Sequence, residues 1–221
     1  RLVGSEMCIR DRVAHLTDTT KFNRPHRVPS LSHSHPKYKA NGRYWVGGVW
    51  PGTNYMIIAG LIDKGYRQLA WDITMNHYNN VLEVYKKTGT FFEYYAPESN
   101  NPGFMARKDF VGWTGLPPIA ELIEYIFGIR ANHEQNTITL DVNLLDAYGI
   151  DKYPYGQEGL ISFKVQKRNS KEEKPKVTIQ TNVPFKVILL WSNKKIEQQV
   201  GIGKHSCLLY TSDAADDSLR V

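Results

Sequence analysis

The chain has 221 residues, with 28 Lys and Arg against 22 Asp and Glu and a formal net charge of +6. The positive charge is dispersed and forms no Lys/Arg stripe, which argues against a nucleic-acid partner. No apolar run approaches the ~20 residues of a membrane-spanning helix, so no membrane partner is expected either.

The two ends stand apart. Residues 1–12, RLVGSEMCIRDR, and 207–221, CLLYTSDAADDSLRV, read as translated sequencing-adapter DNA; genuine tails are the blander alternative. Setting them aside leaves 194 residues with 24 basic and 17 acidic side chains, a net charge of +7. Cys8 and Cys207 both fall in the ends, so no terminal disulfide is expected and cysteine usage sets no redox compartment. On this reading the chain is a piece of a longer gene, and the lack of a signal peptide carries no information.

Residues 13–40 are rich in Pro, Ser and His. Pro25, Pro29 and Pro36 each forbid a continuing helix, so an extended loop is expected. His33 and His35 sit two apart within it. Without Cys or a carboxylate at metal-ligand spacing, they read as surface or cleft-edge histidines rather than metal ligands.

Pro51 suits the first turn of a helix. From Thr53 to Lys64 apolar residues cover a wide arc, which predicts a helix buried on most sides, ending at Gly65. Tyr66 to Lys87 places Leu69, Ile73, Val81, Leu82 and Tyr85 at helical spacing, closed by Thr88-Gly89. Pro117-Pro118 opens a third helix through Phe127. Its Ile119, Leu122, Ile123 and Ile126 are expected to face a core, with Glu121 and Glu124 facing out.

The period then changes. Residues 136–145, 160–168, 176–183 and 185–192 are strand-like, 195–203 is a further candidate, and Lys171–Pro175 reads as a charged turn. A small all-β module of roughly 70 residues therefore begins near Asn132, by the alternation rule. Trp191 is expected in its core.

The richest chemistry lies on three loops. They read GRYWVGGVWPGTNYM (42–56), GTFFEYYAPES (89–99) and ARKDFVGWTGLPP (106–118). Between Tyr38 and Phe127 lie 18 of the 26 aromatic residues, so the aromatics are concentrated where the loops are. Flat rings stack on the apolar faces of pyranoses, and a carboxylate beside them can do proton chemistry. That pattern suits a carbohydrate partner. Glu93 is the central acid. From composition alone it reads rather as a helix-flanking Glu satisfied by a nearby Arg; the order of the three motifs turns the reading toward catalysis.

The succession YWVGGVWPGTNYM (44–56), FFEYYAPES (91–99) and DFVGWTGLPPIAELIEYIFG (109–128) resembles trehalase-like glycosidases, nearest the bacterial branch of glycoside hydrolase family 63. The resemblance covers about residues 30–130, and the motifs stand in family order. It implies a mainly α fold, the C-terminal part of an (α/α)6 toroid, followed by the small all-β module. The expected divisions are 1–12, 13–40 (loop), 41–130 (partial catalytic domain), 131–206 (β-module) and 207–221.

The resemblance also implies inverting hydrolysis of an α-glycosidic bond, most readily an α-glucoside. Two carboxyl groups then stand ~6.5–9.5 Å apart with a water between base and sugar. Glu93 aligns with the general base. The general acid of the family is an Asp far upstream. Asp18, Asp63, Asp72 and Glu83 do not match its motif, so the isolated chain is expected to be inactive. Glu98, the rival for the base, reads as exposed or as a substrate contact.

Trp45, Gly47, Gly48 and Trp50 resemble the family's substrate loop, although either Trp reads equally as core. Asn54 and Tyr55 are candidates for sugar hydroxyls, Tyr94 for orienting water, and Arg107 with Trp113 for a donor beside an aromatic platform. No cofactor is implied, and no EF-hand-like oxygen-ligand loop is visible. The alternatives are a non-catalytic carbohydrate-binding or structural protein and a sugar epimerase. An epimerase would lean on a histidine pair, and His77 and His133 lie outside the aromatic motifs. The absence of cysteine from residues 13–206 leans only slightly toward a periplasmic or secreted, polysaccharide-degrading setting over a cytoplasmic one.

Overall fold

A computed structural model describes residues 3–206, with side chains described from Cys8 to His205. The segment 207–221, with Cys207, lies outside the described residues. The chain divides into two units, Arg1–Leu122 and Ile123–Val221.

The first unit opens with helix α1 (Val3–Thr17), which the sequence reading did not anticipate. It runs through Val13, where the loop was expected to begin. Cys8 is an exposed free thiol on it. From Asp18 to Gly48 the chain is irregular but tied down. The His26 N–H donates to Pro97 O at 2.8 Å, Ser30 N–H to Gly48 O at 2.9 Å, and Lys39 N–H to Val46 O at 2.7 Å. Asn76 holds the Pro25–Arg27 stretch twice. It accepts from Arg27 N–H at 2.8 Å and donates to Pro25 O at 2.9 Å.

Helix α2 (Pro51–Asp63) starts as expected, with Trp50 extended at the N-cap and Pro51 in the first turn. It is not buried on most sides. Asn54, Ile58 and Leu61 form one inward stripe, while Met56 is largely exposed. Helix α3 (Arg67–Thr88) is amphipathic in the ordinary sense. Ala70, Ile73, Thr74, His77, Val81 and Val84 recur at three- and four-residue spacing on its buried face. Val49, Val81, Val84 and Tyr95 form a small core, with Phe91 and Phe92 packed against it.

After a single 3₁₀ turn (Trp113–Gly115), the third predicted helix is a wide π-helix over Leu116–Ile126. Its facing corrects the expectation. Glu121 is fully buried, whereas Ile119 is 62% exposed. Two consecutive prolines remove donors from the first turn, and i→i+5 bonding rotates each position away from the 3.6-residue pattern.

The second unit is a β-sandwich. Its strands are β1 (Ile129–Asn132), β2 (Thr137–Asp141), β3 (Tyr148–Tyr155), β4 (Gly159–Val165), β5 (Val177–Thr181), β6 (Phe185–Trp191), β7 (Lys194–Val200) and β8 (Gly203–Ser206). One sheet has the order β1-β2-β6-β7, with β2 and β6 parallel; the other is antiparallel, β3-β4-β5-β8. Alternate residues such as Ile138, Leu140, Ile161, Phe163, Ile179, Val187 and Leu189 fill one core. Trp191 joins them. The charged turn is present, and Arg168 is buried beneath it. Its guanidinium donates to the carbonyls of Lys171, Glu173, Val142 and Leu144.

The expectation of a mainly α chain, part of an (α/α)6 toroid, is overturned. The described residues hold four helices and eight strands, about 30% helix and 26% strand, so the chain is mixed α/β. Three strands escaped the sequence reading and account for the excess. β3 contains Gly149 and Pro154, tolerable because it is an edge strand. β1 and β8 have only four residues each.

Candidate functional site

Three short backbone bridges weave the aromatic loops of the first unit together. Val49 pairs with Tyr95, Phe92 with Lys108, and Tyr95 with Pro102. All three motifs, distant in sequence, therefore meet around residues 92–95.

Glu93 lies in this weave, and its backbone is held from two directions. Its N–H donates to Arg107 O at 3.0 Å, and the Trp113 indole Nε1–H donates to its carbonyl at 2.7 Å. One residue earlier, Phe92 O accepts from Thr114 Oγ1–H at 2.7 Å. The Glu93 side chain is partly buried. Among the described residues, none hydrogen-bonds or ion-pairs with its carboxylate. Burial, helped by the nearby Glu93 charge, raises the Tyr94 hydroxyl above its ordinary value.

Beside this acid the rings form a layered stack. Trp45 lies on Trp50 at 4.1 Å and 10°, and Trp50 lies on Tyr94 at 4.5 Å and 27°. Tyr44 meets Trp50 and Tyr94 edge-on, and Trp113 tilts toward Trp50 at 5.8 Å. The exposures divide the roles. Trp50 and Tyr94 are buried, while Trp45 is 49% and Trp113 40% exposed. The inner rings are a foundation and the outer two offer faces to solvent. The Tyr94 hydroxyl donates to Phe104 O at 2.8 Å, which pins that foundation.

The glycines are there for packing. A Cβ on Gly48 would stand 2.5 Å from Tyr44 O and 3.0 Å from the Tyr94 ring, and one on Gly103 would stand 2.2 Å from that ring. Gly47 takes a φ of 135°, with Lys39 O directly beneath it. Val28, Tyr44, Met105 and Asp109 all have φ near +45 to +61° on the loops around the stack. Such backbone strain in non-glycine residues concentrates at ligand-binding sites. Tyr44 and Met105 were not among the expected site residues, and neither residue type signals left-handed backbone.

The remaining candidates scatter. Asn54 is fully buried, with its amide donating to Val28 O and Trp50 O, so it braces the α2 start instead of facing a cleft. Tyr55 is partly buried on α2. Arg107 is exposed, with its guanidinium 5.9 Å from the Phe110 ring centre, and Phe110 in turn packs on Trp113 at 5.0 Å. An apolar groove of about 380 Å³ runs beside Trp45, lined by Leu16, Phe22, Val28 and Ile57.

Glu98 is partly buried and not exposed. Arg24 clasps it with two bonds of 2.7 and 2.8 Å, and Tyr38 O–H donates to it at 2.6 Å. The Arg24 bonds hold its carboxyl below the ordinary range. An acid satisfied by an arginine, the structural role considered for Glu93, is found at Glu98.

His33 approaches Glu98 at 3.9 Å, and the His35 ring accepts from Lys37 N–H. His77 is buried and shares a 2.7 Å bond with buried His26, where desolvation lowers it to about 3.

The family model of the mannosylglycerate hydrolase MGH1-like glycoside hydrolase domain matches residues 5–114, just under half of the chain. The match begins inside the adapter-like segment and ends at the 3₁₀ turn carrying Trp113. Mannosylglycerate hydrolase MGH1 of Selaginella moellendorffii is 34% identical over 97 residues, 44% of this chain and 18% of that protein. A probable mannosyl-oligosaccharide glucosidase of Schizosaccharomyces pombe is 29% identical over 111 residues, 46% of this chain and 14% of that protein. An uncharacterized protein of Borreliella burgdorferi is 26% identical over 160 residues, 67% of this chain and 34% of its own length. The matching family model is a glycoside hydrolase domain, and two of these relatives are named for hydrolysis of glycosides. The chain spans at most about a third of the length of these relatives.

Proposed function

We propose that this chain is the base-bearing part of an inverting α-glycosidase of the family 63 type, acting most readily on an α-glucoside. The observation that carries the reading is Glu93: a partly buried carboxylate with no partner among the described residues, on a backbone fixed by Arg107 O and the Trp113 indole. A base must be positioned yet uncommitted, so that water is the group it binds. In this reading Glu93 takes a proton from the attacking water. Trp45 and Trp113 present stacking faces, Tyr94 and Trp50 support them, and Arg107 reaches a substrate hydroxyl or carboxylate from the rim.

The general acid comes from polypeptide outside residues 13–206. Each acid between Val13 and Glu93 has a local task. Asp18 accepts from Thr20, Asp63 pairs with Lys64, Asp72 accepts from Gln68, and Glu83 pairs with Lys86. The isolated chain is then inactive, since inverting hydrolysis needs both carboxyls.

The test uses the longer protein obtained by sequencing contiguously across both ends. Glu93→Gln there should abolish hydrolysis of an α-glucoside without lowering the melting temperature. Turnover of that variant at the wild-type rate would sink the assignment. An extended gene without an acid partner would favour a non-catalytic carbohydrate-binding protein.

A further inference from the structure

The outer face of the second sheet of the sandwich carries a separate groove of about 480 Å³. Its floor is set by register. Ser162 of β4 lies opposite Gln180 of β5, which lies opposite Lys204 of β8. On β3 the pairing jumps from Ile150–Phe163 to Tyr153–Ile161, so Asp151 and Lys152 together oppose Ser162. This is a β-bulge, a device that re-aims side chains. Lys152 adopts a φ of 57°, and its N–H donates to Ser162 Oγ at 3.0 Å. The bulge thus adds a cation to a row that already ends in one.

The chemistry of this face is specific. Lys152 and Lys204 line the groove, and Lys164 stands in the next outward position of β4. None of the three is within ion-pair distance of a carboxylate among the described residues, and Asp151 is the single acid in the lining. Gln180 is exposed, and its amide makes no hydrogen bond to another described residue. Asn182 is committed to the wall, accepting from Leu160 N–H and donating to Glu158 O. Leu160 is 45% exposed and supplies an apolar patch. The groove therefore offers unpaired ammonium groups, a free amide and a small apolar surface, in a volume within the ~300–1,000 Å³ usual for ligand pockets.

We infer that this face binds an acidic saccharide, a uronic-acid-containing glycan. Lys152 at one edge of the sheet and Lys204 at the other would meet different carboxylates of the glycan, Gln180 between them its hydroxyls, and Leu160 the apolar side of a ring. The choice of a sugar among hydroxylated anions rests on the glycosidase reading of the first unit. The groove itself does not involve Glu93.

The test is ¹⁵N-resolved NMR titration of the full chain with trigalacturonic acid, with maltotriose and a ten-residue deoxythymidine oligonucleotide as comparisons. The uronide should shift resonances of β3, β4, β5 and β8. Lys152→Gln with Lys204→Gln should weaken binding about tenfold or more, as loss of two charge-assisted contacts requires. Gln180→Ala should weaken it several-fold with an unchanged salt dependence. Unshifted sandwich resonances, or equal shifts with maltotriose, overturn the proposal. Equal binding of the oligonucleotide with a steep salt slope assigns the face to phosphate backbone instead. The readout is confined to the sandwich. A failed hydrolase assignment leaves these shifts in place, and a failed groove leaves the Glu93→Gln result untouched.

Discussion

Glu121 is the least comfortable residue of the first unit, and its discomfort is measurable. It is fully buried on the π-helix, and neither carboxyl oxygen has a hydrogen-bond partner among the described residues. Desolvation raises it from 4.5 to about 8. A carboxyl raised in the folded state is harmless at low pH, where both states hold the proton. Between 4.5 and about 8 the unfolded chain releases the proton while the folded chain keeps it, so stability falls as pH rises. Each unit costs about 1.4 kcal/mol. The penalty reaches about 3 kcal/mol at pH 7 and about 5 kcal/mol above pH 8.

Glu121→Gln keeps the shape and removes the ionisation. Its stability relative to wild type should be near zero at pH 4.5 and rise to several kcal/mol at pH 8.5. Urea unfolding followed by tryptophan fluorescence reads this unit, since four of the five tryptophans lie in it. Parallel pH profiles for the two proteins would refute the reasoning. They would mean that the carboxyl reaches solvent or a cation.

The His26–His77 pair acts with the opposite sign. His77 falls to about 3 through burial, so its stabilising contribution is complete above 6.5 and is lost as pH drops. His77→Asn should remove roughly 2 kcal/mol of the acid-induced loss between pH 6.5 and 5, measured by the same unfolding assay. Glu98, depressed by Arg24, acts only below 4.5, where its protonation should release the Arg24–Tyr38 stretch to limited proteolysis. Gly103→Ala should cost about 1–3 kcal/mol through the clash with Tyr94. It should also change the fluorescence of Trp50, whose ring rests on Tyr94; an unchanged spectrum and stability would show that the stack can shift freely.

The fold was legible where local periodicity decides it. α2, α3 and the inner strands β2, β4, β5 and β6 follow from apolar spacing, because each buries one regular face. It was illegible where a neighbour decides. β3 is a strand because β4 pairs with it, despite Pro154 and a bulge. The π-helix takes its facing from its bonding register, which apolar spacing read at 3.6 residues cannot express. The toroid was carried over from the family resemblance and not read from residues, and that part of the expectation failed.

For the site, the motifs were readable but the division of labour among like residues was not. Glu93 and Glu98 lie five apart in one motif, and both carry the same group. What separates them is a partner 74 residues upstream: Arg24, brought against Glu98 by a loop whose path depends on Asn76 and Pro97. A carboxylate with two Arg bonds and a Tyr bond has its lone pairs spent and its basicity lowered, so it is poorly suited to take a proton from water. Glu93 has no such partner, and its neighbours hold only its backbone. The same logic separates Trp45 from Trp50. Both face a glycine-rich turn, but Trp50 begins α2 and is sealed beneath Trp45, so only the outer ring can meet a ligand. Arg24→Met would test that separation. It should free Glu98 to titrate near its ordinary value by NMR while leaving the stack of Trp45 on Trp50 intact. A joint loss would mean that the loop, and not the Glu98 clasp alone, shapes the site.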